Sequence, residues 1–187
     1  MNASADARAA AVGSLDTRRW AAWLLVSLAV ILADQLSKLA ILAAFRPGEF
    51  KVLTSFFTLV LSFNTGAAFS FLAGASGWQR WLFAAIAAGA TALIVWLLRR
   101  GGDRWYCLGL ALILGGALGN LWDRLTVGAV VDFLLFHWRD WYYPAFNVAD
   151  SAITAGAALL ILDSFRQRRP RSVAAEPVGR TDEPKGM

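Results

Sequence analysis

The sequence predicts an all-α membrane protein with four transmembrane helices, carrying on its outer side a small β-rich segment and an interfacial helix or loop. Three observations support this. Apolar residues make up 58% of the 187-residue chain and its mean hydropathy is +0.51, whereas soluble domains run at roughly 45–50% apolar. Four apolar runs each approach the roughly 20 residues that a bilayer-spanning helix needs. Arginines gather at the ends of those runs, so the formal charge of +5 reads as membrane topology and not as nucleic-acid binding.

In chain order, residues 1–19 form a polar, Ala-rich extension ending in Arg18-Arg19. The first apolar run, 20–45, exceeds the roughly 7–15-residue core of a signal peptide and is expected to be a retained helix. Arg46-Pro47-Gly48 stops it. Within the next segment, 46–77, residues 51–63 are rich in Val, Leu, Thr and Phe and read as short strands, with the phenylalanines on the membrane surface. The second run covers 78–98, the third 105–122 and the fourth 148–165. Arg99, Arg100 and Arg104 fill the loop between the second and third. The stretch from His137 to Pro144 is an aromatic belt suited to the headgroup layer. From Arg166 onward, Pro170, Pro177 and Pro184 mark a tail expected to be disordered. Residues 20–165 thus form one membrane domain between an N-terminal extension and a C-terminal tail, 166–187. Four spans put both termini on one side. The positive-inside rule makes that side, with the 99–104 loop, cytoplasmic, and leaves 46–77 and 124–146 outside.

Two aspartates then fall at the outer face. Asp132 lies within Val130-Val131-Asp132-Phe133, and Asp150 opens the fourth run in Asn147-Val148-Ala149-Asp150. A carboxylate in or near hydrocarbon costs about 2.5 kcal/mol or more and by default marks a site. Asn147 reads as an N-cap that puts Asp150 at the third helical position, where the helix dipole favours negative charge. Apolar neighbours tend to raise the pKa of a carboxyl such as Asp132. One ionised and one protonated carboxyl is the requirement of aspartic proteolysis, in which the base takes a proton from water and the acid donates to the scissile carbonyl. Taken singly, Asp150 reads equally as a capping residue and Asp132 as a loop residue.

Other polar residues surround these. Asn120, Asp123 and Arg124 share one face at the end of the third helix, either as a helix end with its own ion pair or as a shell orienting the aspartates. Gly115 and Gly119 form a small-xxx-small pair that admits a close helix neighbour. Asp34 and Lys38, one turn apart, either neutralise each other or support the site. Asn64-Thr65-Gly66-Ala67-Ala68-Phe69 reads as a turn. His137, the single histidine, reads as interfacial, and no zinc site finds enough ligands. Cys107, the single cysteine, reads as packing. The glycines form no phosphate-binding loop.

Taken together, Asp34-Gln35-Leu36-Ser37-Lys38, Asn64 through Phe69, Gly115 through Arg124, Val130-Val131-Asp132-Phe133 and Phe146-Asn147-Val148-Ala149-Asp150-Ser151 resemble the prolipoprotein signal peptidase family, also called signal peptidase II. They occur in the family's order across residues 20–165. The resemblance implies an aspartyl endopeptidase of the bacterial inner membrane with its site at the periplasmic face. It assigns Asp132 and Asp150 to the catalytic dyad, and Asn64, Asn120, Asp123, Arg124 and Asn147 to supporting polar positions. Asp34 and Lys38 match the first-helix motif. The implied substrate is a diacylglyceryl-modified prolipoprotein drawn from the membrane lipid and cut before its lipidated cysteine, with neither metal nor organic cofactor. Two other classes stand beside it: a serine–lysine protease, for which Ser37 would have to reach Lys38, and a proton-coupled carrier, which also uses intramembrane carboxyls.

Overall fold

A computed structural model describes residues 3–66 and 78–167. Ala67, Ala68 and Phe69 of the expected turn, and the expected disordered tail beyond Gln167, lie outside the described residues. Four helices and four strands follow in the order α1 (Ala3–Ala44), β1 (Phe50–Thr54), β2 (Phe57–Asn64), α2 (Trp78–Arg100), α3 (Arg104–Thr126), β3 (Val130–Trp138), β4 (Trp141–Tyr142) and α4 (Val148–Gln167). Among the described residues, four helical stretches are long and apolar enough to cross a membrane: Trp20–Ala44, Trp78–Arg100, Arg104–Thr126 and Val148–Arg166. Leu25, Leu36, Trp81, Leu93, Ile161 and Phe165 all point away from the protein. An apolar surface this extensive belongs against lipid.

α3 is the hub. α1, α2 and α4 each pack against it, and it is the one span with most of its apolar stretch inside the protein. Its glycines explain the close approach. A Cβ at Gly115 would stand 2.7 Å from the Ser27 carbonyl oxygen of α1, and one at Gly116 would collide with the Ala149 carbonyl oxygen of α4. The expected Gly115–Gly119 pair therefore faces α1, with Gly119 beside Asp34. Asp103 caps the start of α3 by accepting from the Trp105 and Tyr106 N–H groups at 2.8 and 3.1 Å. Gly128, at φ 90°, turns the chain out of the helix while its N–H donates to the Asp123 carbonyl at 3.0 Å.

The strands form one antiparallel sheet of order β1-β2-β3-β4. The 124–146 segment completes this sheet. β3 pairs along β2, placing Ser62 opposite Asp132 and Asn64 opposite Val130, and the aromatic belt turns back as the short edge strand β4. A register irregularity in β2 between Leu59 and Ser62 re-aims the strand just before Asn64. Ile41, Leu61, Val131 and Phe133 form a buried apolar cluster that fastens the sheet to the end of α1 and the start of α4. A second cluster, of Ile94, Leu98, Cys107, Leu110 and Leu114, closes the opposite end of the bundle. Cys107 is thus a packing residue, as expected.

Candidate active site

The sheet delivers Asp132 to the N-terminus of α4. Asp132 is only 2% exposed. Its Oδ1 accepts from the Asn147 side-chain amide at 2.7 Å and its Oδ2 from the Asn64 amide at 3.0 Å. Burial pushes the Asp132 carboxyl up from 3.8 to about 7, and the charge of Asp150 adds to this. The hydrogen bonds from Asn64 and Asn147 and the charge of Lys38 act in the opposite direction. A cavity of about 270 Å³ opens beside Asp132, with Ser62, Asn64, Thr65 and Pro144 in its wall.

Asp150 sits in the first turn of α4, half-buried. Asn147 is the N-cap that the sequence indicates. Its Oδ1 accepts from the Asp150 N–H at 2.9 Å, and Asp150 Oδ2 reaches back to the Asn147 N–H at 3.3 Å, a reciprocal capping arrangement. Asn120 donates its amide to Asp150 Oδ1 at 2.7 Å. Capping and bridging therefore coexist in Asn147, which holds one carboxyl through its backbone and the other through its side chain.

Three asparagine amides point N–H at these carboxyls, and in each the oxygen is committed to a donor that cannot reverse. Asn64 Oδ1 accepts from the Gly66 N–H at 2.9 Å, in a turn where Gly66 adopts φ 103°. Asn147 Oδ1 accepts from a backbone N–H, and Asn120 Oδ1 accepts from the Lys38 ammonium at 3.2 Å. Since N–H and ammonium groups only donate, each amide is oriented.

Lys38 ties the site to its foundation. Its ammonium pairs with Asp34 at 2.7 Å and with Asp123 at 2.8 Å, so the i,i+4 pair of α1 extends across to α3. Asp123 also accepts from the Val131 N–H at 3.1 Å and so anchors β3 beside Asp132. It pairs with Lys38 and also lies within electrostatic range of Arg124. Arg124 donates to the Asn120 carbonyl at 3.2 Å, stacks over Phe83 at 5.3 Å and lies within electrostatic range of Asp150. The nine residues that the sequence offers as dyad or supporting positions thus converge. Gln35 was missed, although its amide reaches Asp123 Oδ1 at 2.9 Å, Asp34 Oδ2 at 3.1 Å and the Gly119 carbonyl at 3.3 Å. The available signal was an amide within an apolar run, which needs partners. His137 lies outside this cluster, 3.2 Å from the Thr58 hydroxyl and stacked on Tyr142. Among the described residues, no three His, Cys, Asp or Glu side chains are grouped so as to hold a metal ion.

Residues 26–166 match the family model described as signal peptidase (SPase) II. The chain is 62% identical over 150 residues to the lipoprotein signal peptidase of Burkholderia vietnamiensis, covering 80% of this chain and 90% of that protein. It is 55% identical over 170 residues to the lipoprotein signal peptidase of Paraburkholderia phytofirmans, covering 90% and 96%. Its fold is similar to that of a bacterial membrane enzyme solved by the in meso method at 2.3 Å, with TM-score 0.71 and 26% identity over 88% of this chain and 95% of that one. A second such enzyme, solved at 1.9 Å, gives TM-score 0.69 and 28% identity over 78% and 94%.

Proposed function

The chain belongs to the signal peptidase II family, and from that premise we propose that Asp132 and Asp150 are the catalytic dyad with which it cuts. It is a multi-pass membrane protease that removes the signal peptide from prolipoproteins. The observation that supports the dyad best is the bridge through Asn147, which hydrogen-bonds both carboxyls while their surroundings treat them differently. Asp132 is enclosed and holds a proton up to about pH 7. Asp150 stands at a helix N-terminus, and both its oxygens accept hydrogen bonds.

In this reading the Asp150 carboxylate takes a proton from a water molecule. The water oxygen attacks the scissile carbonyl carbon while Asp132 donates its proton to the carbonyl oxygen. The tetrahedral intermediate collapses as the proton held by Asp150 passes to the leaving amine and the gem-diol returns a proton to Asp132. Asn64, Asn120 and Asn147 keep the two carboxyls in place through the cycle. Lys38, Asp34, Asp123 and Arg124 hold the asparagines and the strand.

The remaining features place the reaction. Arg99, Arg100, Arg104 and Arg166 lie at the bundle end opposite the dyad, which supports a cytoplasmic location for that end and for both termini. The dyad then faces the periplasm from the inner membrane. Phe50, Val52, Trp138, Trp141 and Tyr142 are exposed around the sheet, and they suit a membrane surface on which a diacylglyceryl group would hold the cleavage site at the depth of the dyad. Neither rival gains support. The Ser37 hydroxyl donates to the Asp34 carbonyl at 2.8 Å, and Lys38 is engaged with Asp34, Asp123 and Asn120. A carrier would use polar groups along its path, whereas these gather at one end.

The deciding experiment is cleavage of a lipidated prolipoprotein by the purified wild type, Asp132→Asn and Asp150→Asn. Each variant keeps the side-chain shape and loses proton exchange, so turnover is expected to fall by at least about 100-fold with thermal stability retained. Substantial turnover by either well-folded variant would falsify the dyad.

A further inference from the structure

The helix α2 supplies none of the polar residues gathered around the aspartates, yet its first two turns touch the parts that hold them. Arg80 and Phe83 stand three residues apart and share a face of the helix. The Arg80 guanidinium donates at 2.7 Å to the carbonyl of Leu125, which is among the last carbonyls of α3 that lack a partner within the helix. It also lies against Gly128, where an added Cβ would come within 3.4 Å of Nη1. Gly128 turns the chain from α3 towards β3 and Asp132. The start of α2 is thereby fastened to the end of α3, and this sets where Phe83 stands.

Phe83, half-buried, meets two of the groups that hold the carboxyls. A Cβ at Gly66 would collide with its ring. The Gly66 N–H donates to Asn64 Oδ1 at 2.9 Å, and this bond aims the Asn64 amide at Asp132. The bare backbone of Gly66 therefore rests on the ring, and at φ 103° an L side chain would be strained there. The Arg124 guanidinium lies over the same ring at 5.3 Å, inside the roughly 6 Å at which an aromatic face attracts a cation. Arg124 is in turn within electrostatic range of Asp150 and Asp132. A flat ring offers a surface to a backbone without a side chain and a negative face to a cation. A leucine or methionine in its place offers only the first.

We propose that Phe83 is a positioning residue for the dyad, its ring carrying both the Asn64–Gly66 turn that serves Asp132 and the Arg124 guanidinium that serves Asp150. The inference rests on Asp132 and Asp150 being the catalytic pair. Phe83 acts through Asn64 and Arg124 and touches neither carboxyl. The charged groups that face Asp132 are Asp150 of α4, Lys38 of α1 and Arg124 of α3. Against their background, the Asn64 hydrogen bond favours the Asp132 carboxylate. Loosening the turn therefore raises the pH at which Asp132 loses its proton.

The test is steady-state cleavage of a lipidated prolipoprotein by the purified full chain carrying Phe83→Leu, Phe83→Met or Phe83→Tyr, from about pH 5 to about pH 9, with melting temperatures recorded. Phe83→Leu and Phe83→Met are each expected to lower kcat about tenfold, to leave KM within about twofold and to move the alkaline limb to higher pH. Phe83→Tyr keeps the ring face and is expected to retain at least about half of the wild-type kcat. A merely structural role would lower the melting temperature and leave the limb of the folded enzyme where it stands, and that result overturns the proposal. So does a wild-type kcat in Phe83→Leu or Phe83→Met, or an equal loss in Phe83→Tyr. Asp132→Asn, assayed alongside, keeps the two readings apart. Turnover by that variant sinks the dyad, whereas a wild-type profile in the Phe83 variants with Asp132→Asn inactive sinks only the role of Phe83.

Discussion

Asp34 of α1 accepts a hydrogen bond from the backbone N–H of Ala149 at 2.9 Å, so the first helix caps the helix that carries Asp150. The same carboxylate pairs with Lys38 through its other oxygen at 2.7 Å. A helix begins with N–H groups that have no partner inside it, and in a buried site each needs one. Asn147 serves the Asp150 N–H and Asp34 serves that of Ala149.

Removing this carboxylate is expected to destabilise the protein and misplace Asp150. Asp34→Ala leaves the Lys38 ammonium with one carboxylate partner and the Ala149 N–H with none. Loss of one partner from a buried ion pair costs about 3–5 kcal/mol. Asp34→Asn keeps an acceptor for the N–H and is expected to lie between Ala and wild type. Thermal unfolding in detergent measures the order. An Asp34→Ala protein as stable as wild type would show that the cap and the pair contribute nothing.

The pH profile should expose the acid. With the Asp132 carboxyl raised to about 7, cleavage is expected to fall with an alkaline limb near neutrality as the proton it must donate is lost. Stability follows the same group. Between its unfolded value of 3.8 and about 7, the folded protein holds a proton that the unfolded chain has released. Stability from this group therefore declines as pH rises through that window. Asp132→Asn removes the ionisation, so its melting temperature relative to wild type should rise from pH 4 to pH 8. A constant difference between the two proteins across that range would contradict the assignment.

Topology can be read by chemistry in whole cells. In a Cys107→Ala background, a cysteine replacing exposed Glu49 is expected to react with an impermeant thiol reagent in intact spheroplasts. One replacing exposed Arg104 should react only after lysis. The reverse pattern would put the dyad on the cytoplasmic side.

Lipid on the substrate should control turnover. Each buried methylene of a diacylglyceryl group contributes about 0.8 kcal/mol to holding the cleavage site at the membrane surface. The unlipidated preprotein is therefore expected to be cleaved far more slowly than the lipidated form in the same detergent. Trp141→Ala and Tyr142→Ala, on the exposed edge strand β4, should slow the lipidated substrate while leaving Asp132 and Asp150 in place. Equal initial rates for the two substrate forms would remove lipid from the recognition.

The four spans were legible in the chain because lipid demands it: a long apolar run with arginines at its ends can satisfy its backbone there only as a helix. The N-cap was legible for a local reason, since Asn147 and Asp150 are three residues apart and bond within one turn. The motifs were recognisable when taken together, yet their connections were not. No periodicity shows that Asn64 would reach Asp132 across 68 residues, or that Lys38 would pair with Asp123 as well as with Asp34. Asp132 itself sits on a strand whose place depends on a partner strand far away in the chain, so the belt segment carried no local sign of entering a sheet. The helix faces were hidden for a different reason. Lipid is as apolar as the inside of the bundle, so no polar stripe marks the outward side. The glycines of α3 marked where another helix could approach closely, and the folded bundle alone brought Asp34 beneath Ala149.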